Sequence, residues 1–105
     1  MSKEKKKIRE NFRNEVFKRD GFKCRMCGNP KAKLDAHHIT NPKEIINGGY
    51  VKENGITLCD TDTGCHMKAE QFHLGNEVEE GYTPEDLYKK INSSYELACL
   101  KSEQL

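Results

Sequence analysis

Four cysteines constrain this chain more than any other feature. Cys24 and Cys27 are separated by two residues, Cys59 and Cys65 by five, and 31 residues lie between the pairs. A C-x2-C turn presents two thiolates to one tetrahedral ion, and a second pair completes a four-cysteine set of the kind that holds structural zinc. Gly28, directly after the first pair, suits the tight knuckle of such a turn. The second pair is wider than usual, so its intervening DTDTG must loop away from the ion. The competing reading is a set of unpaired, partly buried thiols. A staple is needed: of 105 residues only 34% are hydrophobic, 33% are charged and none is Trp, so the core by itself would be marginal. The fifth cysteine, Cys99, reads as an ordinary packed thiol. The odd count, with an opening MSKEKKKIRE that has no apolar signal stretch, favours a reducing cytoplasmic compartment, where clustered cysteines bind metal more often than they form disulfides. No apolar run reaches the length of a membrane span, so no membrane partner is expected.

The net charge of +1 hides an asymmetry. Residues 1–34 carry twelve Lys/Arg against four Asp/Glu, a balance of +8, whereas residues 35–105 carry six Lys against thirteen acids, a balance of −7. A basic first third suits a polyanion, because Lys and Arg gain by displacing counterions from phosphates. Arg9, Arg13, Lys18, Arg19, Lys23 and Arg25 are the candidate phosphate contacts, giving affinity and orientation without sequence choice. The bland alternative, a solvated lysine-rich tail, suits KEKKK equally well.

Residues 1–7 read as a flexible basic tail. Ile8, Phe12 and Val16 then recur at helical spacing, and Gly21 in RDG suits a left-handed cap. After the cysteine turn a strand is expected, with Leu34, Ala36 and Ile39 inward. NPKEIINGGYVKENG reads as a loop with a tight turn at Gly48-Gly49, ITLC as a short strand, and CHMKAEQFHLG as a short helix ending near Gly75. Residues 76–82 are an acidic linker. Residues 83–105 read as one helix, capped by Thr83 with Pro84 at its first position, whose stripe of Leu87, Ile91, Tyr95 and Ala98 docks on the domain or on a second subunit.

Four cysteines saturate a zinc ion, which leaves the histidines free. His37 and His38 are adjacent and His66 follows Cys65 directly. Histidine titrates near neutrality, so His38 suits a proton acceptor, and a zinc ligand next door would fix the backbone of His66. The alternatives are solvent-facing strand histidines, and a redundant zinc ligand at His66. Glu70, four residues after His66, is either an orienting carboxylate or a solvated acid. His73, seven residues after His66 and on the same helical face, is either a surface histidine or one that touches phosphate or assists the metal.

CRMCG, DAHHI, NPKEIINGG, NGITLC and CHMKAE stand in the order and rough spacing of the HNH endonucleases, the zinc-stapled ββα-metal nucleases, and the chain resembles that family over about residues 8–73, including the helix ending in KRDG. The resemblance implies an α+β, treble-clef-like domain over residues 8–75, with an N-terminal basic helix and a C-terminal helix outside the match. It implies His37 and His66 as ligands of a catalytic divalent ion, His38 as general base, Asn54 as the orienting residue of the catalytic set, and Cys24, Cys27, Cys59 and Cys65 as zinc ligands. It further implies hydrolysis of double-stranded DNA, by nicking or double-strand cleavage, to 5′-phosphate and 3′-hydroxyl ends, in a bacterial or phage-infected cell. Two departures stand out: the five-residue gap, and His where relatives often carry Asp at position 37. The second replaces oxygen by nitrogen and shifts the expected ion from Mg²⁺ towards Mn²⁺ or Ni²⁺. A homodimer would serve a double-strand cut. The rivals are a non-catalytic zinc module that binds nucleic acid and a protein-interaction domain. Because neighbouring strand residues face opposite ways, a bulge is expected at His37-His38 to bring both to one phosphate.

Overall fold

The computed structural model describes residues 3–105. It is a small α+β fold with one two-stranded antiparallel sheet and four helices: α1 (Lys3–Arg19), β1 (Leu34–His38), β2 (Gly55–Cys59), α2 (Cys65–His73), α3 (Pro84–Lys90) and α4 (Tyr95–Ser102). The helix α1 begins at Lys3, so most of the expected tail is helical, while Met1 and Ser2 lie outside the described residues. Lys, Glu and Arg are good helix formers, and Glu4 in the first turn with Lys18 and Arg19 in the last match the helix dipole. Among the described residues, no helix is long and apolar enough to cross a membrane.

The strands pair from Leu34↔Cys59 to His38↔Gly55 without interruption. The expected bulge at His37-His38 is therefore absent, and the two rings point to opposite faces of the ribbon. The inward parity also differs from expectation: His37 and Ile39 are buried, at 3% and 0% exposure, whereas Leu34 and Ala36 are half-buried. The reason is that both faces are covered. On one side Phe12 and Val16 of α1 pack over Gly55, where an added Cβ would lie 2.5 Å from Val16 and 2.7 Å from Phe12. On the other, Ile56 and Leu58 join Ile39, Ala69 of α2, Leu87 and Tyr88 of α3 and Ala98 of α4 in one apolar core.

Between the strands, residues 41–54 form three short 3₁₀ turns, Pro42–Glu44, Ile46–Gly49 and Lys52–Asn54, with left-handed backbone at Asn47, Gly48 and Gly49. The expected single C-terminal helix is broken. Asn92 takes a left-handed conformation (φ 55°) after α3, and the Ser94 side chain accepts from the Leu97 N–H to start α4. The break turns Tyr95 outward, against expectation, while Leu87, Ile91 and Ala98 stay buried. The segment docks on its own chain: Asn47 Nδ2 donates to the Ser102 carbonyl and the Ser93 hydroxyl to the Glu53 carbonyl. Thr83 and Asp86 form a reciprocal capping box at the start of α3.

Candidate metal centres and the cavity beside them

The end of β2, the start of α2 and the turn after α1 bring Cys24, Cys27, Cys59 and Cys65 together, with all four sulfurs within 4.8 Å of one another. Backbone N–H groups point at them: Cys27 N lies 3.5 Å from Cys24 Sγ, and Cys65 N lies 3.2 Å from Cys59 Sγ. Burial pushes the Cys24 thiol up, but backbone N–H groups outweigh it and bring it down to about 7. Burial, with the neighbouring sulfurs of Cys24 and Cys59, pushes Cys65 up to about 12. Protons would leave so close a set of thiols together only for a cation, and four thiolates in a closed cluster fit zinc. Gly64 closes the loop between Cys59 and Cys65: a Cβ there would meet the Cys59 carbonyl oxygen at 2.8 Å and Thr61 Oγ1 at 2.6 Å. Cys99 stands apart, half-buried against the core.

A second cluster lies on the α2 side of the ribbon. His37 of β1 meets His66 and Glu70 of α2, one ligating atom of each lying within 4.8 Å of the others. His37 Nδ1 is 3.6 Å and His66 Nε2 3.5 Å from Glu70 Oε2, and Asp35 Oδ2 stands 3.3 Å from the same His66 nitrogen. On its other side, His66 Nδ1 lies 3.2 Å from Asp60 Oδ1. Burial, together with the charges of His66, His73 and His38, holds His37 well below the usual histidine pKa. A neutral imidazole beside a second imidazole and a carboxylate is a donor set that fits a divalent cation.

His38 faces the other way. Its ring stacks on Phe12 at a centroid distance of 4.4 Å, and Tyr50 meets it edge-on at 4.7 Å. Its Nε2 is buried without a hydrogen-bond partner, and its carbonyl lies 3.0 Å from His73 Nε2. Burial, with the charges of His73 and Arg9, brings the ring down to about 4. Despite their opposite directions, His37 and His38 line one cavity of about 380 Å³, which wraps the free edge of β1 between α1 and α2. Arg9, Arg13, Tyr50, His66 and Glu70 line it too. A larger, mostly apolar cavity of about 490 Å³ lies between α2, α3 and α4, away from both ligand clusters.

Asn54 is fully buried and its amide is completely engaged. Its Oδ1 accepts from Thr40 N (2.9 Å) and from the Tyr88 hydroxyl (2.6 Å), while Nδ2 donates to the carbonyls of Thr40 and Gly49, both at 3.1 Å. It does not line the cavity, so any influence on chemistry runs through the backbone that follows His38.

The six candidate phosphate contacts divide. Arg9 and Arg13 line the cavity, with Arg9 over the Tyr50 ring and Arg13 over Phe17. Lys18 and Lys23 are exposed. Arg19 and Arg25 are engaged within the fold: both bind the buried Asp20 at 2.9 Å, and Arg19 also donates to the carbonyls of Lys52 and Gly55. Asp20 is the anchor that sequence reasoning missed. Its Oδ2, which also accepts from Arg19, accepts from Thr57 N at 2.9 Å, tying the end of α1 to β2. In sequence the pattern RDG carries only a stop signal, and nothing in an isolated sequence distinguishes an acid there that turns inward. Asp35 and Asp60 were missed as well, although the two-residue spacing from Asp35 to His37 places both on one face of a strand.

Neither protein-family models, nor curated proteins, nor solved structures give a match to this chain.

Proposed function

We propose that the protein is a metal-dependent endonuclease of the HNH type, hydrolysing phosphodiester bonds of double-stranded DNA. The observation that carries this reading is the convergence of His37, His66 and Glu70 on one point in the wall of a cavity that also holds His38, Arg9 and Arg13. In this reading the Cys24, Cys27, Cys59 and Cys65 cluster binds zinc and fixes the start of α2, and with it His66.

A divalent ion supplies positive charge for the oxygens on which negative charge grows as the phosphodiester breaks. His37, His66 and Glu70 would hold it, and the carboxylate adds a hard oxygen to two nitrogens, a set suited to Mn²⁺ as well as Ni²⁺. His38 takes the proton of the attacking water: its ring is neutral at physiological pH and so has a lone pair to accept one. Arg9 and Arg13 seat the phosphate backbone at the cavity mouth. Asn54 positions the chain after His38 and touches no substrate. The products would carry 5′-phosphate and 3′-hydroxyl ends.

The stacking of His38 on Phe12, with a buried nitrogen, favours a second reading, a non-catalytic zinc module that binds nucleic acid through the same basic surface. Plasmid nicking by zinc-loaded protein with Mg²⁺, Mn²⁺ or Ni²⁺ separates the two. The nuclease reading expects nicking by wild type and a loss of at least about 100-fold in His38→Ala, the scale of a general base. It fails if no ion supports cleavage, or if His38→Ala cuts as well as wild type. Retention of DNA binding without cleavage would leave the zinc module standing.

A further inference from the structure

We propose that Asp60 is the positioning residue of His66, so that the loop between the second pair of zinc cysteines sets the direction in which His66 presents its ligating nitrogen. The inference rests on the reading of His37, His66 and Glu70 as a metal site. It concerns how that site is held.

Asp60 directly follows Cys59, and its backbone is tied down at its N–H. Its N–H donates to the Lys33 carbonyl at 2.7 Å, extending the β1–β2 ladder by one bond, and the preceding Cys59 sulfur accepts from Cys65 N at 3.2 Å. The loop then returns through Gly64, whose N–H donates to the Thr61 carbonyl, and α2 begins with Cys65 and His66. The two ends of the loop therefore carry the two partners of one contact, Asp60 Oδ1 and His66 Nδ1, at 3.2 Å.

A carboxylate oxygen accepts hydrogen bonds, so in this contact Nδ1 is the donor. That tautomer leaves the lone pair on Nε2, the nitrogen that faces Asp35 and Glu70. With its lone pair 3.3 Å from Asp35 Oδ2 and 3.5 Å from Glu70 Oε2, Nε2 is repelled by both carboxylates unless a proton or a metal cation lies between. The Asp60 contact thus turns His66 from a surface imidazole into a ligand with a fixed tautomer and a fixed ring plane, the role a carboxylate plays behind metal-binding histidines. In these terms the five-residue gap of the second cysteine pair, an anomaly for zinc binding alone, carries the carboxylate that connects the two metal centres.

The test uses zinc-loaded full-length protein, with Mn²⁺ as probe because it competes poorly for thiolates. Free Mn²⁺ is measured by electron paramagnetic resonance, zinc content by elemental analysis, and the His66 tautomer by long-range ¹H–¹⁵N correlation without Mn²⁺. Wild type should bind one Mn²⁺ and show the Nδ1–H tautomer. Asp60→Ala should keep one zinc per chain, bind Mn²⁺ about 10- to 100-fold more weakly and show mixed tautomers. Asp60→Asn, whose amide oxygen still accepts from Nδ1, should fall between them. The proposal is overturned if Asp60→Ala binds Mn²⁺ as tightly as wild type, if wild type holds the Nε2–H tautomer, or if lost Mn²⁺ affinity merely tracks lost zinc. A wild type that binds no Mn²⁺ overturns the metal-site reading and this inference together, a result distinct from the other three.

Discussion

Asn54→Ala should destabilise the zinc-loaded protein by about 4 kcal/mol, from the loss of four hydrogen bonds made by one buried amide, at about 1 kcal/mol net each. The figure follows from the geometry around the amide. Two of the bonds run to Thr40, one to Gly49 and one to Tyr88, and the residue is 0% exposed, so the partners left behind cannot all turn to water. Tyr88 makes the loss larger than its one bond suggests. It donates to Asn54 and so accepts from the Thr40 hydroxyl at 2.6 Å, and removing the amide leaves that chain without its final acceptor. Urea unfolding by far-ultraviolet circular dichroism, at one fixed free zinc concentration, is the assay, because any change in zinc occupancy shifts apparent stability. With a urea slope of roughly 1–1.5 kcal/mol per molar for a small domain, the midpoint should fall by about 3 M. Asn54→Asp is the sharper control. It keeps the shape and both accepted bonds but replaces the donating nitrogen by an oxygen facing the carbonyls of Thr40 and Gly49, and should destabilise at least as much as alanine. A loss below about 1 kcal/mol in Asn54→Ala, or an Asn54→Asp that unfolds at the wild-type midpoint, would refute the reasoning.

Asp20→Asn should cost about 2–3 kcal/mol near neutral pH, since it weakens contacts to Arg19, Arg25 and Thr57 N together. Burial raises the Asp20 pKa, but hydrogen bonds from Arg19 and Thr57 and the Arg19 charge outweigh it, so the folded value lies below 3.8. The stability it adds is therefore complete above about pH 4–5 and is lost as pH falls through the lower folded value. In paired unfolding curves, the gap between wild type and Asp20→Asn should stay level from pH 7 to 5 and narrow below 4; a gap that widens in acid would reverse the sign. Gly55→Ala should force α1 away from β2 and cost about 1–3 kcal/mol by thermal unfolding. Arg9→Ala should weaken DNA binding and reduce the slope of log K against log salt by about one, whereas Lys68→Ala, on the face beside Glu79, should leave the slope unchanged. Removing zinc with a chelator should unfold the domain, read as loss of helical signal with about one zinc released per chain.

The elements that sequence reasoning placed well are those with a local physical signature. Thr83-Pro84 starts a helix because the cap and the fixed proline φ act within one turn, and Gly21 ends one because a left-handed residue is needed there. The cysteine cluster was legible because zinc coordination imposes its own spacing. What stayed hidden depends on which face is covered. Asp20 and Asp60 meet their partners only when α1, β1 and the loop between Cys59 and Cys65 come together, and no periodicity marks them. The break at Asn92 was masked because Leu87, Ile91 and Ala98 remain buried across it, as they would on an unbroken helix. Arg19 and Arg25 looked like Arg9 and Arg13 for the same reason: an arginine's partner cannot be read from its neighbours in sequence.

The adjacent histidines show how a wrong expectation can rest on a sound premise. Neighbouring strand residues do face opposite ways, and the uninterrupted pairing of His37 with Ile56 and His38 with Gly55 keeps them so. The error lay in supposing that opposite faces lead to separate places. In a wide sheet they would, because further strands on both sides divide the two layers. Here the ribbon has two strands, so β1 has a free edge, with α1 beyond one face and α2 beyond the other. A cavity can wrap that edge and receive His37 from the α2 side and His38 from the α1 side. No bulge is required, and the backbone keeps its ladder up to His38. The arrangement also sets the chemistry apart: the α2 side gathers carboxylates and imidazoles around His37, while the α1 side gives His38 aromatic packing and arginines. A third strand paired to β1 would abolish the shared cavity while leaving every residue of both sets in place, so the smallness of the sheet is itself a condition of the site.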